Sequence, residues 1–395
     1  MKRYIKYIVF IILLILPITD FMFNSSEASG DTLNRYSFLL RIILLTIVCF
    51  SFVLDINGFL RVFYNPVIRA FGFVVGYIVL HYLFTYDSSD EISSLIKVVY
   101  NFIILFYFYQ YAYSNDINDK EIKWLYAILG ILYFVSILSF VGLRSTLRST
   151  GLAGFADNRG YALVGCVPML LLFYKERKFP ILLLIFSVGI FIAGKRGAII
   201  SLLFTLLIMF AFLFLGKRIS GSTKVLYSLV IIAGVILLFS FYNELISAAF
   251  TRFGNLAEDG GSGRNRVYMT YWKGFLNSDI IGTIFGNGFH GGIKNLNITV
   301  LAHSDIFEIL YDYGVVGTIL YTNIFYQIGR YLYWQFTIKN IYFYILLCIT
   351  FIMIIKSIIS GTFLMTTETI IMYITVAYII GNNDNKIELQ EYGYE

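Results

Sequence analysis

Apolar runs of about 20 residues recur from one end of this chain to the other, and only a hydrocarbon surrounding lets that many stay satisfied. They fall at approximately 4–23, 37–54, 67–86, 94–113, 123–143, 160–174, 180–194, 197–215, 225–243, 306–332, 341–358 and 367–381. Each run is continuous rather than alternating, which excludes a transmembrane β-barrel. Only 14% of the 395 residues are charged, where a soluble domain carries roughly 25%. The expected fold is therefore all-α and polytopic, one integral membrane domain over 1–395 with about twelve transmembrane helices. Tyrosine and phenylalanine supply 32 and 38 residues, so bulky rings fill much of the helix packing. Cys49, Cys166 and Cys348 sit inside apolar runs without metal-like spacing and read as small packing residues.

Orientation follows from the lysines and arginines of the short loops. A cytoplasmic N-terminus puts Lys2, Arg3, Lys6, Arg61, KERK at 175–178, GKRISGSTK at 216–224 and Lys339 inside. The acidic DSSDEIS at 87–93 then faces outside, as does the longest non-spanning segment, 244–302, between spans 9 and 10. The polar stretch 382–395 returns inside as a tail, so both termini are cytoplasmic. The basic start MKRYIK before an apolar core also has signal-peptide character; a retained first helix is the expectation, because so many spans follow.

Against that pattern, Arg144, Arg148, Arg159, Lys195, Arg196, Arg252, Arg264 and Arg266 all fall on the outer face. Cations are scarce there, so either each one snorkels to phospholipid headgroups or the group binds an anion. A guanidinium offers a planar fork of donors that matches phosphate oxygens, and several converging suit a pyrophosphate. In SGRNRVYMTYWKGF at 262–275, arginines precede an amphipathic stretch with Val267, Tyr271, Trp272 and Phe275. That pattern suits a short helix lying on the membrane surface, its N-terminal end a ready anion site. Glycines 286, 288, 291 and 292 suggest a tight, flexible return.

Of three histidines, His81 reads as mid-span core without polar company, and His290 as a loop residue, solvated or near substrate. His303 stands at the mouth of a span beside Asp305, with Phe307 and Leu310 following at helical spacing. Imidazole titrates near neutrality and is the usual general base. Asp157 and Asn158 add polar groups at another outer helix entrance, where an N-cap is the plainer reading. No phosphate-binding nucleotide loop, dinucleotide fingerprint or nucleic-acid motif is present.

Four stretches carry a resemblance: GKRGAIISLL at 194–203, SGRNRVY at 262–268, GNGFHGG at 286–292 and HSDIFEILYDYGVVG at 303–317. Their order, spacing and long outer loop resemble the O-antigen polymerase and O-antigen ligase superfamily of bacterial envelope glycosyltransferases. GLAGFADNRGYALVG at 151–165 resembles that family's entry to the preceding span, with Asn158 at its asparagine. Lys195, Ser304 and Tyr268 depart from the usual serine, asparagine and tryptophan. The resemblance implies a GT-C-like, metal-independent transferase without cofactor, in a bacterial inner membrane, with its active site on the periplasmic or external face. Its substrate would be an undecaprenyl-pyrophosphate-linked oligosaccharide, its neighbours membrane lipids, a flippase and a chain-length regulator, and no nucleic acid.

On the same footing, Arg196 and Arg264 would hold pyrophosphate with Arg266 assisting, and His303 would deprotonate the attacking hydroxyl. Arg144, Arg148, Asn158, Arg159, Lys195, His290 and Asp305 are further candidates for substrate contact. A repeat-unit polymerase making O-antigen, capsule or exopolysaccharide is the first expectation, and the ligase that moves finished glycan to lipid A core the second. A flippase or transporter of the lipid-linked glycan is the third, disfavoured because transporters place charges midway along spans.

Overall fold

A computed structural model describes residues 2–23, 35–85, 90–149, 157–215, 221, 264–296, 298, 302–336, 340–361 and 368–391. Every element among them is helical, as backbone in hydrocarbon must be when no barrel can close. The chain runs α1 (Lys2–Phe23), α2 (Arg35–Leu54), the short α3 (Ile56–Val62), α4 (Pro66–Thr85), α5 (Asp90–Tyr113) and α6 (Asp119–Ser149). Next come α7 (Arg159–Cys166), prolonged by a 3₁₀ stretch (Pro168–Phe173), then α8 (Lys178–Ala193) and α9 (Arg196–Phe210), prolonged by a π-turn (Ala211–Leu215). Three short helices follow, α10 (Arg264–Leu276), α11 (Ile280–Phe285) and α12 (Gly291–Asn295). Last are α13 (Asp305–Gln335), α14 (Ile341–Ile359) and α15 (Thr369–Glu391).

Each expected span except 225–243, which lies outside the described residues, coincides with a helix. Six of the helices are long and apolar enough to cross a membrane by themselves: those carrying 36–54, 66–85, 94–113, 119–139, 196–214 and 341–359. Arg159–Phe173 and Lys178–Ala193 are apolar but shorter. Residues 382–391, expected to begin a polar tail, instead continue α15, and Asn382 and Asn383 are buried.

Contacts identify the two ends of the bundle. At one end Lys6 donates to Asp116 O at 2.6 Å and to Glu121 Oε1 at 2.7 Å, and Lys123 reaches Glu176. There too the Tyr342 and Tyr378 hydroxyls donate to the Asp119 carboxylate, both at 2.6 Å. Asn65 Nδ2 and the Tyr109 hydroxyl donate to Asp384 Oδ2 at 2.7 and 2.8 Å. These bonds gather the starts of α4, α6, α8 and α14 with the ends of α5 and α15. The opposite end, where α4 finishes at Thr85, holds the starts of α7, α9, α13 and α15, and α10–α12 cap it. Between the ends the core is aromatic: Phe71, Phe102 and Tyr373 meet with ring centroids 5.1–5.9 Å apart.

Candidate functional site

The cap is fastened to the bundle through a break in α13. Gly314 has φ 65° and ψ −165°, outside helical space, so the carbonyls one turn earlier lose their helical partners. The turn Gly286-Asn287-Gly288 takes them up: Asn287 N–H donates to Tyr311 O at 3.0 Å and Gly288 N–H to Asp312 O at 3.1 Å. Asn287 Nδ2 adds a bond to Tyr311 O, and Gly292 N–H donates to Asp312 Oδ1 at 2.9 Å. Glycine is required at both crossing points. Gly286 (φ 98°) would put a Cβ 2.2 Å from Asp312 O, and Gly314 one 2.5 Å from Ile284 O. The glycine-rich return is thus a packed joint, not the flexible one its composition suggests.

α4 completes the joint. The Tyr77 hydroxyl lies 2.8 Å from Phe285 O, and His81 Nε2 lies 2.6 Å from the same oxygen. His81 is therefore not a core histidine without polar company. The cap folds over the outer turns of α4 and brings a carbonyl to it, which the apolar sequence around His81 could not announce. His290 has positive φ at the start of α12, with its ring edge-on to Phe289. Phe289 N–H in turn reaches Thr85 Oγ1 at 3.3 Å, so His290 stands over the end of α4.

α10 docks on the first turns of α13. Tyr268 stacks on Phe307 with centroids 4.7 Å apart, and Tyr271, 1% exposed, meets Tyr311 edge-on at 5.8 Å. Such ring pairs are worth about 0.5–1.5 kcal/mol each beyond area burial. Burial pushes the Tyr271 hydroxyl above the usual phenol range, with Asp312 and Glu308 adding to it. Part of the apolar face of α10 therefore lies against protein, with Val267 and Phe275 in the same cluster, while Trp272 stays exposed. The two contacts also set a register: α10 and α13 run parallel here, and Tyr268 is level with Phe307. One turn earlier on the same face of α10 is Arg264, at the end of α10 that points to the start of α13, which His303 and Ser304 precede. Arg266 is exposed and two residues further on, so it belongs to a different face.

His303 has φ 54°, and its N–H donates to Glu308 Oε1 at 2.7 Å. Glu308 is thus a side-chain cap for the turn before α13, in a geometry close to a capping box. Asp305 is fully buried, and its Oδ2 accepts from the Tyr321 hydroxyl at 2.6 Å. That hydroxyl is also 2.9 Å from Ser357 Oγ. Asp305 therefore helps tie α13 to α14 through Tyr321.

Arg196 begins α9. α8 closes on Gly194 in the left-handed region (φ 63°), Lys195 is extended, and the helix restarts at Arg196. Lys195 and Arg196 are half-buried, and a cation in a helix's first turn adds to the positive end of its dipole. The start of α7 supports this corner: Asp157 N–H donates to Ala193 O at 3.0 Å. A Cβ on Gly197 would strike the Tyr161 hydroxyl and come 3.5 Å from Ile359. Arg159 Nε lies 2.9 and 3.0 Å from the Asp157 carboxylate oxygens, and its Nη1 bonds Ser136. It clamps α6 to α7. Asn158 sits at the N-cap of α7 without a side-chain cap bond; Asp157 accepts the Arg159 N–H instead. Arg144 and Arg148 lie in the last turns of α6.

Sequence reasoning missed Glu308, Tyr321 and Lys356. Lys356 is 1% exposed inside an otherwise apolar helix, the same kind of anomaly that drew attention to Lys195 and Arg196. Among the described residues no three His, Cys, Asp or Glu side chains gather as a metal site.

Among the described residues, an all-helical bundle with six helices long and apolar enough to cross a membrane is the architecture of a multi-pass membrane protein. Residues 181–322 match the family model described as O-antigen ligase, and over that part the chain is similar to the O-antigen ligase/polymerase superfamily. All four motif stretches at 194–203, 262–268, 286–292 and 303–317 fall inside the match. No curated protein matches the chain.

Proposed function

We propose that the protein is a polymerase that joins undecaprenyl-pyrophosphate-linked repeat units on the external face of the inner membrane. His303 takes the proton of the acceptor hydroxyl as its oxygen attacks the anomeric carbon of the donor glycan. The bond from that carbon to the pyrophosphate oxygen breaks, and the lipid pyrophosphate leaves with the electron pair. Arg196 and Arg264 hold its charge, with Arg266 at the rim. General-base help is worth about 10²–10⁴-fold, and fixed cations at a developing anion supply more. The observation that carries this reading is the parallel register of α10 and α13, which puts the helix start that carries Arg264 at the same end as the start of α13, just after His303.

Two further features support it. The corner that begins α9 turns Arg196 to the same end of the bundle. Basic loops at 175–178 crowd the opposite end, the expected cytoplasmic side. Ligation to lipid A core is the second reading, favoured by the description of the matching family model.

Deleting the gene and resolving surface glycan by size separates the readings. A single repeat remaining on its anchor is the polymerase outcome. Polymer accumulating on the lipid carrier makes the protein a ligase, and lipid-linked repeats trapped inside overturn both.

A further inference from the structure

Lys356 is the buried cation that the proposed chemistry leaves without a task. It occupies the last turn of α14, at the capped end of the bundle. Its ammonium donates to Gly361 O at 2.5 Å, lies 3.4 Å from Thr369 Oγ1 and stands 5.4 Å over the Tyr161 ring. The carboxylates of Glu368, Asp305 and Glu308 act on it electrostatically. Tyr321 of α13 and Tyr373 of α15, both beside Asp305, are the other titratable groups of this pocket.

These neighbours belong to separate parts of the candidate site. Tyr161 backs Gly197, the residue after Arg196, and Ile359 closes on the same glycine. Glu308 holds the backbone N–H of His303. Asp305 opens α13 and is tied through Tyr321 to Ser357, the residue after Lys356. One ammonium therefore stands over the support of the arginine corner on one side and is drawn electrostatically to the support of the histidine turn on the other. We infer that Lys356 is a positioning residue, the shared pin that sets the Arg196 corner and the His303 turn in fixed register. A cation fits the role because one charge can attract the carboxylates of Asp305 and Glu308 on α13 while its donors meet Gly361 O and Thr369 Oγ1. The inference rests on the roles proposed above for Arg196 and His303.

The test uses the full chain in proteoliposomes with lipid-linked glycan extracted from the deletion strain. Lys356→Met is expected to slow turnover about tenfold to a hundredfold, the scale of a small misplacement. It should also move the acid limb of the pH–rate curve to higher pH, because carboxylates no longer offset make the His303 imidazolium easier to hold. Lys356→Arg keeps the charge and is expected to keep that limb in place. Lys356→Met with Glu368→Gln removes one charge of each sign. Low turnover in a double variant that melts like the parent supports positioning; parental turnover overturns it, since Lys356 is then a counter-charge alone. An unmoved acid limb in Lys356→Met also overturns it. If Lys356→Met does not insert, Lys356→Gln supplies the same comparison. His303→Ala is run beside them: parental turnover there defeats the base assignment itself, whatever the Lys356 variants do.

Discussion

The two ends of the bundle use charge in opposite ways. At the Lys6 end, polar side chains close on one another: Lys6 on Glu121, Tyr342 and Tyr378 on Asp119, Asn65 and Tyr109 on Asp384. Each carboxylate is satisfied by protein donors, which is what low-dielectric surroundings demand and all they demand. At the Thr85 end, Glu308 and Asp157 also find donors, but ones that hold something else in place. Glu308 accepts from the backbone of His303, and Asp157 accepts from Arg159 while its own N–H ties down the α8–α9 corner. A network that ends on itself reads as structure; one that ends on a half-buried arginine or histidine reads as support for a site.

Substitutions can break or sharpen that contrast. The largest effect is expected from His303→Ala and Arg264→Ala, each removing extended surface glycan while the protein still inserts. Undiminished polymer length in either strain sinks the mechanism. Next comes Gly314→Ala, which forces a side chain into positive φ and into Ile284 O. About 1–3 kcal/mol of strain should lower the melting temperature in detergent and detach the cap, read as new protease cleavage between 277 and 302. Arg159→Met follows, leaving the buried Asp157 carboxylate unpartnered by that guanidinium. A stability loss of about 1–3 kcal/mol is expected, with polymer still made but at reduced yield; complete loss matching Arg196→Ala would move Arg159 into the substrate site. The smallest effect is expected at the far end. Asp384→Asn should cost about 1 kcal/mol in melting and leave polymer length unchanged, and shortened polymer there would erase the distinction between the ends.

Much of this was legible in the sequence for a physical reason. Hydrocarbon leaves the backbone one open-chain solution, so the apolar runs and the helices coincide almost one for one. Charges in such runs are costly, so Lys195 and Arg196 declared themselves. The cap was harder. α10 has the amphipathic spacing of a surface helix, but spacing cannot say whether an apolar face meets lipid or protein, and here it meets Phe307 and Tyr311. Glycines at 286 and 288 announced permissive backbone, but the turn is held by the Tyr311 and Asp312 carbonyls, freed by the distant break at Gly314. Lys356 was legible by the same rule as Arg196 and was absorbed into its helix. Glu308 was not, because a carboxylate that accepts a backbone N–H looks in sequence like any acidic first-turn residue.

The break at Gly314 bears on how substrates come and go. Tyr311 and Asp312 carbonyls find these donors only while the Gly286-Asn287-Gly288 turn stays seated. Lifting the cap would strand several backbone groups at once. On the proposed function the cap stays seated as a wall, and the lipid-linked donor and the growing glycan would pass along its flank.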